Sequence, residues 1–174
     1  FRNKWSVNIK PDGNLELSAE NRTFDLTETS IADGLWHHVA VVLKRGTSLN
    51  TFIDGNETSS LSSLDIGGIN GVPFLIGARY LQANGQVTID NHFIGSLDEF
   101  RLWNTARDIQ QIKRDRFFEI DKNLSGLMLY MDFKDNNNSS APSYSHLGAT
   151  NSEESVSLLP EGFSDLNYVS NGPP

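Results

Sequence analysis

Two adjacent pairs hold the side chains of this chain with the most chemical capacity: histidines at 37 and 38, and carboxylates at 98 and 99. Imidazole becomes a base or a metal ligand once a partner positions it. Paired carboxylates cleave glycosidic bonds when they sit about 5 to 9.5 Å apart across the scissile linkage. Adjacency works against both uses, because neighbouring side chains of an extended strand point to opposite faces. His37 and His38 therefore cannot share an ion, and Asp98 and Glu99 face apart. All four read as structural, with the two acids expected to bond backbone amides or Arg101, since carboxylates rarely stay inside unpaired. Glu119 and Asp121 have the one-residue spacing that sets two acids on one side of a strand, but they follow a helical stretch and no third acid continues the series. The chain has no cysteine, and it holds no nucleophile elbow, phosphate loop or Cys/His zinc spacing. The residues read as those of a protein that is not an enzyme.

Strands must carry these side chains. Residues 35–45 are apolar on both faces, which suits a central strand between two layers and puts Trp36 in the core, where truncation to alanine is expected to cost about 3 to 5 kcal/mol. Residues 48–53 form a second strand, closed by Asp54-Gly55, a pair that readily takes the positive φ values of a two-residue hairpin turn. The return strand is 56–61. Residues 74–76 read as a short buried run, 93–103 as a long strand, and 127–133 as a final strand. Near the start, 5–9 and 15–19 make a hairpin around Pro11-Asp12-Gly13-Asn14. One helix is expected over 107–118, from the spacing of Ile109, Ile112 and Phe117, with Asn104 or Thr105 as its cap.

The order of W-H-H-V-A-V at 36–41, F-I-D-G at 52–55, L-I-G at 75–77, F-I-G-S-L-D-E-F-R-L-W at 93–103 and N-T-A-R-D-I at 104–109 resembles the laminin-G-like, concanavalin-A-like jelly-roll family in its bacterial cell-surface form. The resemblance implies an all-β, two-sheet antiparallel jelly-roll sandwich with one short helix. It assigns residues 1–134 to that sandwich, lacking its N-terminal strands, and leaves 135–174 as a polar irregular segment or linker. It implies a calcium ion at the sandwich rim, with Asp33, Asp90 and Asn91 at the matching ligand positions and backbone carbonyls added from the turn at 45–48. In the rim loop, Tyr80 and His92 are the expected surface for stacking on a sugar. The hydrolases that share this fold carry acids at alternate positions of one strand, unlike Asp98-Glu99. The sequence also departs from eukaryotic relatives by having Ser96 where they often carry a cysteine.

Composition narrows the partners. The chain has 174 residues, 37% hydrophobic and 10% aromatic, enough for one folded core. A net charge of −8 repels a phosphate backbone, and no basic stripe compensates for it, so nucleic acid is excluded as a partner. No apolar run approaches the roughly 18 residues of a membrane span, so no direct membrane insertion is expected. Absence of cysteine fits a secreted bacterial domain that relies on core size. The expected function is a non-catalytic recognition or adhesion module of a large secreted or cell-surface protein. It would bind glycan or a surface protein through rim loops at 80–92 and 47–49, aided by calcium, with the remaining segments of the same parent polypeptide covering its open edge. The alternatives are a structural spacer and an accessory domain of a carbohydrate-active enzyme.

Overall fold

The computed structural model describes residues 5–19, 22–62, 75–83, 86–133 and 143–145. All strand pairings among them are antiparallel. The chain divides into two compact units, Phe1–Ile94 and Gly95–Pro174, and residue 134 falls inside the second.

In the first unit, β1 (Trp5–Ile9), β2 (Leu15–Ala19) and β3 (Arg22–Asp25) form one sheet in that order, and β4 (Val39–Lys44), β5 (Ser48–Ile53) and β6 (Asn56–Ser62) form another. Alternation along β2 buries Leu15, Leu17 and Ala19 on one face and leaves Glu16 and Ser18 on the other. That buried face packs with Leu26 and Leu49, and Val41, Leu43, Ile53 and Leu61 close around the cluster. Val41 and Leu43 stand opposite Thr51 and Leu49 in the β4–β5 register, so one row of each sheet meets the other and the core lies between them. On the opposite face of the second sheet, Val42 and Phe52 are also buried, in line with a strand apolar on both sides. A two-stranded ribbon of β7 (Arg79–Ala83) and β8 (Gln86–Asp90) completes the described part of this unit.

Local chemistry accounts for two of the hairpins. In the β1–β2 turn Gly13 has φ +82°, and a Cβ there would stand 1.9 Å from Ser30 Oγ, so only glycine fits. Asp12 accepts the Asn14 N–H at 3.0 Å in the same turn. Between β5 and β6, Asp54 and Gly55 have φ of +52° and +76°, the pair of positive angles expected from the sequence.

Thr51, at the centre of β5, is fully buried, and its Oγ1 has no hydrogen-bond partner. An orphaned buried hydroxyl costs free energy that a methyl of the same shape does not. Thr51→Val should therefore raise the unfolding free energy by about 1 kcal/mol, read as a higher denaturant midpoint with an unchanged slope.

Two strand expectations need correction. Residues 35–38 are not strand: β4 begins at Val39, Leu35 is 72% exposed, and Trp36, expected in the core, is 43% exposed. Hydrogen bonds described below hold these residues in a loop. The run 93–103 is also shorter than expected, with strand only at β9 (Phe100–Trp103). Ile94 is almost fully exposed, and Glu99 has φ +52°, a left-handed angle that an extended strand cannot contain. Of the expected strand at 74–76, Phe74 lies outside the described residues, and Leu75 and Ile76 form no strand.

In the second unit β9, β10 (Leu127–Met131) and β11 (Ser143–Ser145) form a sheet with β10 in the centre. The helix α1 (Ile109–Asp115) is shorter than the expected 107–118. Its cap is Asp108 rather than Asn104 or Thr105. Asp108 accepts the Gln111 N–H at 2.8 Å, and the Gln111 side chain accepts the Asp108 N–H at 3.0 Å, a reciprocal pair that satisfies two otherwise open donors. Ile112 is the helix residue buried. Beyond the helix end, Phe117 and Phe118 are mostly exposed.

Candidate functional site

A polar clasp forms in the first unit where loop 33–38 meets the β5–β6 turn. Gly34, at φ +84°, lets the chain fold back so that Asp33 Oδ1 accepts the Leu35 N–H at 2.9 Å, the local side-chain bond that aspartate favours in turns. Two residues on, His37 turns its ring between two acids. Its Nδ1 lies 2.8 Å from Asp54 Oδ2 and its Nε2 3.1 Å from Asp33 Oδ1. Asp54 also accepts the His38 N–H at 2.9 Å through Oδ1 and donates its own N–H to the His38 carbonyl at 2.9 Å. A carboxylate accepts and cannot donate, so both contacts are hydrogen bonds at once only when both ring nitrogens carry hydrogen, as in the imidazolium. The Asp54 contact, then that of Asp33, raises the His37 pKa above its usual value. The Leu35 N–H, then His37, lowers that of Asp33.

The clasp decides what the loop shows to water. With His37 drawn inward, its side chain 18% exposed, the neighbouring Leu35 and Trp36 project outward. Asp33 Oδ2 has no hydrogen-bond partner among the described residues. An indole face, an open carboxylate oxygen and a fixed backbone are thus presented together. Sequence reading placed Asp33 at a site but took Trp36 for core and His37 for structure. The signal that could have separated them was Asp33-Gly34, a turn pair standing directly before Leu35-Trp36.

The other expected site residues lie apart from the clasp's bonds. Tyr80 is on β7, paired with Ile89 of β8. His92 is exposed beyond the end of β8, and Asn91 before it has φ +50°. Asp90 gives both carboxylate oxygens to Arg79, at 2.9 and 3.0 Å, a bidentate pair that lowers the Asp90 pKa. Calcium takes six to eight oxygens. Here each Asp90 oxygen accepts from a guanidinium, Asp33 Oδ1 is in contact with the His37 ring, and no group of three or more His, Asp or Glu among the described residues could hold a metal. Both Asp90 oxygens and Asp33 Oδ1 thus already have partners, while Asp33 Oδ2 has none among the described residues.

Asp98 and Glu99 are occupied in the second unit. Asp98 accepts the Glu99 N–H at 2.8 Å. Both Glu99 oxygens lie 2.8 Å from the Tyr130 hydroxyl, which donates to them, and Arg101 donates to Oε2 at 2.6 Å. Arg101 continues to the carbonyls of Asp115 and Phe118, at 2.7 and 2.6 Å, tying strand β9 to the end of α1. Burial first, then Glu99, pushes the Tyr130 hydroxyl pKa well up. Both acids thus take the kinds of partner expected of them, a backbone amide and Arg101.

A laminin G family model described as the concanavalin A-like lectin/glucanases superfamily matches residues 2–113. The chain belongs to that superfamily. The antiparallel sheets and the one short helix among the described residues are those of a concanavalin A-like domain. The chain is 28% identical over 87 residues to the "Sushi, von Willebrand factor type A, EGF and pentraxin domain-containing protein 1" of Rattus norvegicus and to the protein of the same name in Mus musculus, covering 48% of the chain in each case. It spans 2% of the length of these curated relatives. No solved structure matches it significantly. The clasp lies inside the stretch that carries the concanavalin A-like match, as do Glu99 and Arg101, whereas their partners Asp115, Phe118 and Tyr130 lie beyond it. Laminin G-like domains are typically non-catalytic extracellular binding modules. No helix among the described residues is long and apolar enough to cross a membrane.

Proposed function

We propose that this domain is a non-catalytic recognition module of an extracellular protein and that it binds glycan through loop 33–38. The observation that carries this reading is the exposed indole of Trp36 on a loop held by two ion pairs. An indole has a broad apolar face and a polar edge, suited to stacking on the flat face of a sugar ring. The open Asp33 Oδ2 stands three residues away to accept a sugar hydroxyl. Because His37 already fixes the loop, ligand binding has little backbone freedom left to remove, and preordering of this kind favours affinity. Both Asp90 oxygens already serve Arg79 and Asp33 Oδ1 serves His37, so the binding proposed does not rely on calcium.

A glycan array probed with the parent chain and with Trp36→Ala, each with and without EDTA, tests this. The expected result is binding to a restricted set of glycans that EDTA leaves intact and Trp36→Ala weakens at least about tenfold, equivalent to about 1.4 kcal/mol. Its melting transition should remain cooperative, because a ring 43% exposed is not a core ring. A flat array would favour the spacer or accessory-domain readings, and binding abolished by EDTA would restore the metal.

A further inference from the structure

Away from the clasp, the first unit holds a cavity of about 380 Å³ between the β1–β2 turn, the end of β3 and the middle of β6. That lies within the range of about 300 to 1,000 Å³ typical of small-molecule sites, but its walls are polar rather than apolar. Part of the hydrogen-bonding capacity facing it is unspent among the described residues. Asn14 uses its backbone N–H and carbonyl in the turn, at 3.0 and 2.8 Å, while its side-chain amide has no partner among the described residues. The Glu28 carboxylate and the Ser59 hydroxyl are equally unengaged there. Thr27, 3% exposed, accepts the Leu15 N–H at 2.9 Å, which leaves its hydroxyl proton without an acceptor at a buried wall of the cavity. Thr58 bonds the carbonyls of Leu26 and Thr51, at 3.2 and 3.3 Å, and so fixes the opposite wall.

We infer that this groove is a second saccharide site, selective for a hydroxyl-rich residue carrying a free amine. The donors and acceptors number enough for several hydroxyls at once, and no aromatic ring lines the groove among the described residues, so recognition there works by hydrogen bonds rather than stacking. Charge sets the selectivity. Lys10 is neutralised by Asp25 at 2.9 Å and Asp12 at 3.4 Å, whereas Glu28 has no cationic partner among the described residues. A ligand ammonium meets that uncompensated carboxylate favourably, and a carboxylate or sulfate is repelled. The site goes beyond the Trp36 loop and does not depend on it.

Amide NMR titration with three monosaccharide probes tests the assignment: glucosamine, glucose and glucuronic acid, each at millimolar concentration. The expected result is saturable shifts at Asn14, Glu28 and Ser59, strongest with glucosamine, weaker with glucose and absent with glucuronic acid. Glu28→Gln should weaken glucosamine several-fold and leave glucose unchanged, and Ser59→Ala should weaken both. Both side chains lack partners among the described residues, so the variants should retain the parent spectrum elsewhere. Shifts confined to residues 33–38, no saturable shift at all, or equal response to glucuronic acid would each overturn the proposal.

Discussion

Leu17→Ala lowers the unfolding free energy by about 2 to 5 kcal/mol, the range for removing a buried leucine side chain and leaving a cavity. The upper half of that range is expected here. Leu17 is 1% exposed and sits at the centre of β2, flanked in register by Val7 and Phe24. With a strand hydrogen-bonded on each side, the backbone cannot sink to fill the space, and the rest of the loss falls on Leu26 and Leu49, both fully buried in the same cluster. Chemical unfolding reads the effect as a lower midpoint with the slope retained. A loss below about 1 kcal/mol, the size of a surface change rather than a core one, would show that the two sheets of the first unit do not meet at this residue.

Raising the pH from 6 to 9 should loosen the Trp36 loop and release bound glycan, while the core stays folded. The His37 pKa is raised in the folded protein from its ordinary 6.5. The stability it contributes is fully present below that unfolded value and is lost as pH rises through the higher folded one. Once the ring loses a proton, one nitrogen faces a carboxylate oxygen with no hydrogen between them. The longer contact, to Asp33 at 3.1 Å, should fail before that to Asp54 at 2.8 Å. The Asp33 pKa is lowered, so its share of the clasp is present above its ordinary value and is lost only as pH falls through the depressed one. The clasp is therefore whole between the acid limit of Asp33 and the alkaline limit of His37. Glycan affinity and Trp36 fluorescence, followed across this range, should change together with one titration. His37→Gln should abolish that titration. Equal affinity at pH 6 and pH 9 would detach the loop from the clasp.

Much of the fold was legible because it rests on local rules. The hairpin at Asp54-Gly55 follows from two residues that tolerate positive φ, and the turn at 11–14 from Gly13, whose place no side chain can take. The helix was legible in its apolar spacing but not in its ends, because Asp108 and Gln111 cap each other and so start the helix later than the earlier polar residues suggested. The site was read least well. Strand periodicity runs unbroken from Leu35 into β4, and it assigned Trp36 and His37 to faces of a sheet that has not yet begun there. The bond that ends the strand early links residues 37 and 54, 17 apart in sequence, and periodicity carries no information about a partner at that distance. In the same way, Asp90 matched a cation ligand by position, but the bond that occupies it comes from Arg79 across a hairpin. For Asp98 and Glu99 the expected partners were right, a backbone amide and Arg101, but the strand that was to carry them begins only at Phe100.

Asp54 has two duties that can be separated. As the first residue of a type I′ turn it could be replaced by asparagine at little cost, since asparagine accepts the same backbone angles. Its Oδ1 would still receive the His38 N–H. The second oxygen, the one facing His37 Nδ1, would become an NH2 group, and two donors would confront each other. A chain carrying Asp54→Asn would thus keep its hairpin and lose its grip on the loop, so folding alone imposes no demand for an acid at this position.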